Sequence, residues 1–303
     1  MGIVSFLIYL SIMTGIYAIL SLSLNFQYGF AGLVNFGHVA FFCIGAYASS
    51  LLVMGGVPLL AGVLGAMIFA GVFGFLISIP TAGLKEDYWA IVTIAAAEIV
   101  RLFFLNEAWL AEGAFGIRGI PQPLRALFST STYPAFYLGM VLIFLGITYF
   151  ALRLLTRSPF GRVLKAMREG DDLPRAFGKN VLRFRMKSMA IGAAFAGLAG
   201  SLFAHYITFI CPWNFMPIET FIIWAMVVVG GQGNHLGAIA GAAIIQVFYV
   251  STRFVKDYIP IEAELLASLR MVIIGLLVVL FMIFRRKGLL EEKKRSYKLS
   301  GEE

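Results

Sequence analysis

The sequence predicts an all-α, polytopic transmembrane helical bundle of about nine spans, one or two of them broken or re-entrant. Three observations point there. Hydrophobic residues make up 60% of the chain and charged residues only 13%, against about 25% charged in an ordinary soluble domain. The apolar residues gather into runs that meet or approach the ~20 residues needed to cross a hydrocarbon core. The positive charge gathers too. Between Arg153 and Lys187 stand ten basic residues against Glu169, Asp171 and Asp172, which leaves +7 of the net +8 of the whole chain.

The runs fall at 3–25, 31–54, 58–79, 88–106, 133–153, 188–209, 217–231, 236–256 and 264–285. The first has no Lys or Arg ahead of it and no small-residue cleavage site, so it reads as a retained span. The second region, 28–54, carries Gly29, Gly32, Gly37 and Gly45, enough to break one crossing into a re-entrant piece. Freed backbone is tolerated at membrane depth only where protein or a water-filled cavity satisfies it. A short inner turn around Pro80, Gly83, Lys85, Glu86 and Asp87 joins the third and fourth runs. Residues 107–132 hold Gly113, Gly116, Gly119, Pro121 and Pro123 and suit an outer loop of tight turns. The basic island follows the fifth run and belongs on the cytoplasmic side, because positive flanks resist translocation. Four runs later the tail carries Arg285, Arg286, Lys287, Lys293, Lys294, Arg295 and Lys298 against four acids, which is again cytoplasmic. An even number of crossings lets the two charge signals agree and puts the N-terminus outside; a re-entrant 28–54 would flip it. One transmembrane domain, 1–288, is expected, with a cytoplasmic loop at 154–187 and a charged tail at 289–303.

Several function classes are excluded at this point. The pI near 9.5 is set by membrane flanks and not by an aromatic-studded soluble surface, so no nucleic-acid partner is expected. Cys43 and Cys211 sit in apolar surroundings without metal-ligand spacing and read as small packed hydrophobes. There is no phosphate-binding loop, no nucleophile elbow and no HExxH. The three histidines are scattered singly, so no metal, no cofactor and no catalytic residue is expected. Any energy for transport has to come from a partner or an ion gradient.

Polar groups inside the runs are the candidates for a translocation path. Asn35, Gly37 and His38 lie in one glycine-rich segment, and Gly230 and Gly231 open another, which continues through Gln232, Gly233, Asn234 and His235. Paired glycine-interrupted segments mark the two halves of many transporters, but glycines also simply let helices approach. Both readings stay open, with His235 taken as a turn or interface residue. The fourth run adds Thr93, Glu98 and Arg101. Glu98 and Arg101 share a helical face at i,i+3 and serve either as a pathway pair, as intramembrane ionisable groups tend to, or as a structural ion pair. Arg270 is read as snorkelling to the interface.

The island itself reads Arg157-Ser-Pro-Phe-Gly161-Arg162-Val-Leu-Lys165-Ala166-Met-Arg168-Glu169, then Arg175-Ala176-Phe-Gly178-Lys179-Asn180, with Lys187 before re-entry. Phe160, Val163, Leu164 and Met167 fall on one side of a helix, and a second short piece, 173–177, stops at Gly178. This resembles the signature of the inner-membrane permeases of branched-chain amino-acid ABC importers of the LivM type. Three further stretches are similar to that family's blocks: Ser23 to Asn25 with Gly29 to Leu33, Phe36 to Phe42 and Gly45 to Tyr47; Asp87 to Thr93 with Glu98 to Arg101 and Gly116 to Pro121; and Ala196 to Gly200 with Val229 to Gly233, Gly237 and Gly241-Ala242. The chain departs from the family at Asn35, where Ser is common, and at Glu112-Gly113-Ala-Phe.

The resemblance implies a permease subunit in the inner (cytoplasmic) membrane, paired with a LivH-type permease and driven by two ABC ATPase subunits, which bind the ATP. An extracytoplasmic substrate-binding protein would deliver leucine, isoleucine or valine. It also implies that Gly161, Arg162, Arg168, Glu169, Ala176, Gly178, Asn180 and Lys187 belong to the ATPase-coupling element. Permeases of urea and short-amide ABC importers share much of this pattern and are the alternative. A secondary transporter is a more distant one.

Overall fold

In the computed structural model of the chain, which describes residues 3–81, 86–258, 263–285 and 288–292, each of the nine apolar runs winds into a helix. α1 (Ile3–Asn25) continues as a π-helical turn, Phe26–Phe30; α2 (His38–Met54), α3 (Leu59–Thr81) and α4 (Glu86–Asn106) follow. A short α5 (Ala108–Ala111), β1 (Ile117–Arg118) and two 3-10 turns make up the loop before α6 (Tyr133–Arg157). The basic island holds α7 (Pro159–Glu169) and α8 (Asp172–Ala176), and then come α9 (Val181–Ile207), β2 (Phe209–Ile210), α10 (Pro217–Gly230), α11 (His235–Tyr258) and α12 (Ala263–Phe284). β1 and β2 pair antiparallel, Ile117 opposite Ile210, the one departure from an all-helical chain among the described residues. The predicted turn residues Gly83 and Lys85, and the tail cations Arg286, Lys287, Lys293, Lys294, Arg295 and Lys298, lie outside the described residues.

Among the described residues five helices are long and apolar enough to cross a membrane: Ile3–Phe30, Leu59–Thr81, Tyr88–Asn106, Tyr133–Arg157 and Val181–Ile207. The other four expected spans hold shorter apolar helical stretches among the described residues, His38–Met54, Pro217–Gly230, His235–Ser251 within α11 and Ser268–Phe284 within α12. Of the expected spans, about nine with one or two broken or re-entrant, five are therefore met by length among the described residues. The physical reason is visible at two of the others. Residues 31–37 are irregular, so α2 starts seven residues later than the run that predicted it. α10 has 14 residues, about 21 Å at 1.5 Å per residue, and cannot reach across a core ~30 Å thick on its own.

Small residues bring the backbones together. A Cβ on Gly45 of α2 would fall inside the backbone of Gly197 on α9, and one on Gly197 would lie 2.6 Å from the carbonyl oxygen of Ala66 on α3. Without a hydrophobic drive between helices in lipid, such close approach is what holds α2, α3 and α9 together. α10 and α11 form a second close pair, with Gly241 packed on the Met226 carbonyl. Between these units α1 is buried along its inner half, Ile12 to Asn25. Aromatic contacts fill the rest: Tyr47 stacks on Phe104 at 3.9 Å, and Phe42 meets Phe203 and Phe215.

The basic island is narrower than its charge suggested. α6 runs on to Arg157 and α9 begins at Val181, capped by Asn180, whose Oδ1 accepts from the Arg183 amide at 3.1 Å. Ser158 and Pro159 start α7 in the usual order of cap followed by proline.

Candidate functional site

The irregular segment 31–37 leaves backbone groups with no helical partners, and buried side chains answer for them. The Asn35 Nδ2 donates to Gln27 Oε1 at 2.8 Å, and its Oδ1 accepts from the Gly37 amide at 2.9 Å. Gln27 in turn donates to the Met189 carbonyl of α9 at 3.0 Å. His38 Nε2 meets Ser23 Oγ at 2.7 Å. Thr93 Oγ1 on α4 accepts from the Phe36 amide at 3.1 Å, Thr220 Oγ1 on α10 from the Val39 amide at 3.0 Å, and the Asn35 carbonyl from Trp224 Nε1 at 2.9 Å. Phe36 stacks on Trp224 at 4.8 Å. Gly37 is obligatory, because a Cβ there would overlap the Thr93 carbonyl.

Four of the predicted path residues, Asn35, Gly37, His38 and Thr93, thus come together in one knot joining α1, α2, α4, α9 and α10. Asn35 and His38 are 0% exposed and Thr93 2%, so in this conformation their hydrogen bonds go to the chain itself. Ser23, Gln27, Thr220 and Trp224 complete the knot and were not singled out from sequence. Ser23 stood in a matching block without a role, and the others give no local signal.

The remaining path candidates lie elsewhere. Glu98 takes both Nε and Nη2 of Arg101, more than a turn beyond Thr93 on α4. The guanidinium lies 5.3 Å from the ring centre of Trp213, in the turn after β2. Gly230 and Gly231 do not join Asn35: Gly230 packs on Gly237, and Gly231 lies under Gly288 of the tail. The two glycine-rich segments do meet further in, where Asn25 Oδ1 accepts from the Gly233 amide at 2.9 Å and its Nδ2 donates to the Asn234 carbonyl at 3.2 Å. His235, read as a turn or interface residue, opens α11, bonded to Thr156 at 3.0 Å and stacked on Phe30. Arg270, read as snorkelling, is half-buried. Its guanidinium lies 3.9 Å from the ring centre of Tyr249 on α11, and Tyr17 on α1 donates to Glu219 on α10 at 2.8 Å. Glu219 escaped attention because it sits at the edge of its apolar run.

The island forms a second site. α7 buries Gly161, Leu164 and Met167 against the bundle, with Phe160 stacked on Phe184 of α9 at 5.4 Å. Arg162 and Glu169 point to solvent. Arg168 crosses back to the bundle, donating through Nη1 to the Gly29 carbonyl at the end of the π turn and through Nη2 to Glu292 at 2.8 Å. Asp171 ties α8 down by accepting from Arg175 at 3.1 Å and from Arg185 on α9 at 3.0 Å. Leu173 and Phe177 are left 60% and 73% exposed. Ala176, Gly178 and Asn180 are exposed beside them, Lys187 is exposed further along α9, and Gly178 takes the left-handed conformation with φ +68°. An exposed apolar pair on a short helix, fixed from beneath by an amphipathic one, is suited to a protein groove.

Residues 288–292 border this site. Leu289 and Leu290 donate to the carbonyls of Val229 and Gly230 at 3.0 and 3.1 Å, and Asn234 Nδ2 donates to the Glu291 carbonyl at 2.9 Å. Glu292 then accepts from Lys165 at 2.7 Å as well as from Arg168. Burial alone would raise the Glu292 carboxyl, but those two hydrogen bonds and the cations behind them hold it below the usual carboxylate range.

The model of the branched-chain amino acid transport system permease component matches residues 6–282. The chain is 34% identical to the high-affinity branched-chain amino acid transport system permease protein LivM of Salmonella typhimurium, over 95% of this chain and 70% of that protein. It is 30% identical to a probable LivM permease of Methanocaldococcus jannaschii, over 92% and 91%, and 26% identical to the S. typhimurium permease LivH, over 86% and 89%. No solved structure matches. With a family match spanning nearly the whole chain and a bundle of apolar helices to carry it, this multi-pass membrane protein belongs to the family of branched-chain amino acid transport permeases.

Proposed function

We propose that the chain forms one half of the translocation path of an ATP-driven importer for leucine, isoleucine and valine in the cytoplasmic membrane. A LivH-type permease supplies the other half. That this chain is similar to both LivM and LivH permeases supports two related half-channels facing each other. Two cytoplasmic ATPases bind and hydrolyse the ATP, and an extracytoplasmic binding protein delivers the substrate. The observation that carries the reading is the α7–α8 element, braced on the bundle by Leu164, Met167 and Arg168 while it offers Leu173 and Phe177 outward. Closure of the ATPases would push this element, and a rigid link would turn the push into rocking of the bundle. The buried knot at Asn35, with Gly37, His38 and Thr93, is where a broken helix would let the path open. High substrate affinity resides in the binding protein, since a conduit must release what it carries.

The test is co-purification and uptake. The double substitution Leu173→Ser, Phe177→Ser should strip the ATPases from the purified complex and abolish leucine uptake in proteoliposomes, with membrane insertion unchanged. ATPases that stay bound to this variant would refute α8 as the docking element. A reconstituted importer that carries urea or a short amide but no branched-chain amino acid would refute the substrate class.

A further inference from the structure

Beyond the docking surface, the tail makes a connection that nothing in the helical bundle requires. Residues 288–292 lie along the inner end of α10 and the Gly231–Asn234 turn through three hydrogen bonds, at 3.0, 3.1 and 2.9 Å. This zipped segment delivers the Glu292 carboxylate to Lys165 and Arg168 on α7. The same Arg168 holds the Gly29 carbonyl, on the far side of the broken end of α1. Gly29 packs in turn against Gly233. Lys165 also lies 5.3 Å from the ring centre of Phe30.

Three pieces of backbone meet at this point: the π-helical end of α1, the α10–α11 turn and the amphipathic helix of the island. Their only ionic link among the described residues is Glu292. Its side chain is 16% exposed and that of Arg168 23%, so water screens the pair far less than a surface bridge. A bidentate position between two cations fixes direction as well as distance.

We infer that Glu292 is a positioning residue, a latch that makes α7 move as one body with the broken end of α1 and the α10–α11 turn. This rests on the reading of α7–α8 as the element the ATPases push. Without the latch a push on α8 tilts α7 against the bundle. With it, the push reaches Gly29 and Gly233, next to the knot at Asn35. Lys165, Arg168 and Glu292 are then parts of the transmission, while ATPase binding stays with Leu173 and Phe177.

The experiment uses the complete importer in proteoliposomes, with three readouts: ATPases retained, ATP hydrolysed, and leucine taken up per ATP. Glu292→Gln keeps the shape and removes the charge. It should retain the ATPases and their hydrolysis while uptake per ATP falls about fivefold or more, the lower end of ordinary coupling energies. Glu292→Asp, which keeps the charge, should recover most of the loss. Parental uptake per ATP in Glu292→Gln would overturn the latch, whatever the α8 double variant does. Loss of the ATPases in Glu292→Gln would overturn it too, by making the tail part of the docking surface. Failure of the docking reading shows separately, as ATPases retained by the Leu173→Ser, Phe177→Ser variant.

Discussion

A single side chain, Asn35, does the work of a missing turn of helix. It answers one backbone amide, one side-chain oxygen and, at 3.4 Å, the His38 ring. Replacing it by Leu would leave the Gly37 amide and the Gln27 oxygen buried without those partners, at about 1–3 kcal/mol for each unsatisfied group. Asn35→Leu is therefore expected to lower the melting temperature of the purified protein and to cut uptake, and Asn35→Ser to do so less. An unchanged melting temperature in Asn35→Leu would mean the knot contributes nothing. The sequence marked Asn35, Gly37, His38 and Thr93 because polar residues and glycines stand out against an apolar run. Gln27 and Trp224 did not stand out, since their role depends on which helix turns which face inward. The same scale governs Glu292. Its carboxyl is depressed in the folded chain, so the ion pair contributes fully above the unfolded carboxylate range and is lost only as pH falls through the lower folded value. Between about pH 5 and 8 it stays ionised.

Among elements, α7 was legible as an amphipathic helix because its apolar residues recur at helical spacing, and Leu164 and Met167 are indeed buried. The helix boundaries around it were not. Arg183 and Arg185 read as loop, yet they sit in the first turns of α9, where Arg185 finds Asp171. Charge alone does not say whether a basic stretch is coil or the wet end of a long helix. α8 and its stop at Gly178 carry the second prediction. An added Cβ at Gly178 meets nothing within 4 Å, so a substitution there is strained by backbone conformation only, at φ +68°. Valine disfavours that conformation by about 1–2 kcal/mol. Gly178→Val is expected to distort the end of α8 and loosen ATP hydrolysis from uptake while the protein still inserts and folds. Parental coupling in a reconstituted Gly178→Val importer would show that the turn geometry is immaterial.

At the scale of the molecule, the exposed faces say which helices border lipid or another subunit. α9 is largely enclosed, whereas α6 leaves Leu142, Ile143, Ile147, Phe150 and Leu154 open along one side, and α12 does the same with Val272, Leu276, Val279 and Ile283. In water such stripes would be a liability; in a bilayer they are the solvent-facing surface. The direction of each crossing then follows from the ends. Arg168 and Glu292 join the island to the tail directly, so both lie on one side, while β1 and β2 join the 107–132 loop to the end of α9, on the other. The positive-inside rule makes the cytoplasm the expected side for the island. In a background with Cys43 and Cys211 replaced by alanine, new cysteines near Arg162 and Lys294 are expected to react with a membrane-impermeant maleimide only from the cytoplasmic side. One near Arg118 should react only from outside. The 25 residues of α6 are what separates the first site from the last, at about 37 Å. Labelling of Arg162 and Arg118 positions from the same side would mean that α6 does not cross, and the pairing of island with tail would then have to be reached by a different number of spans.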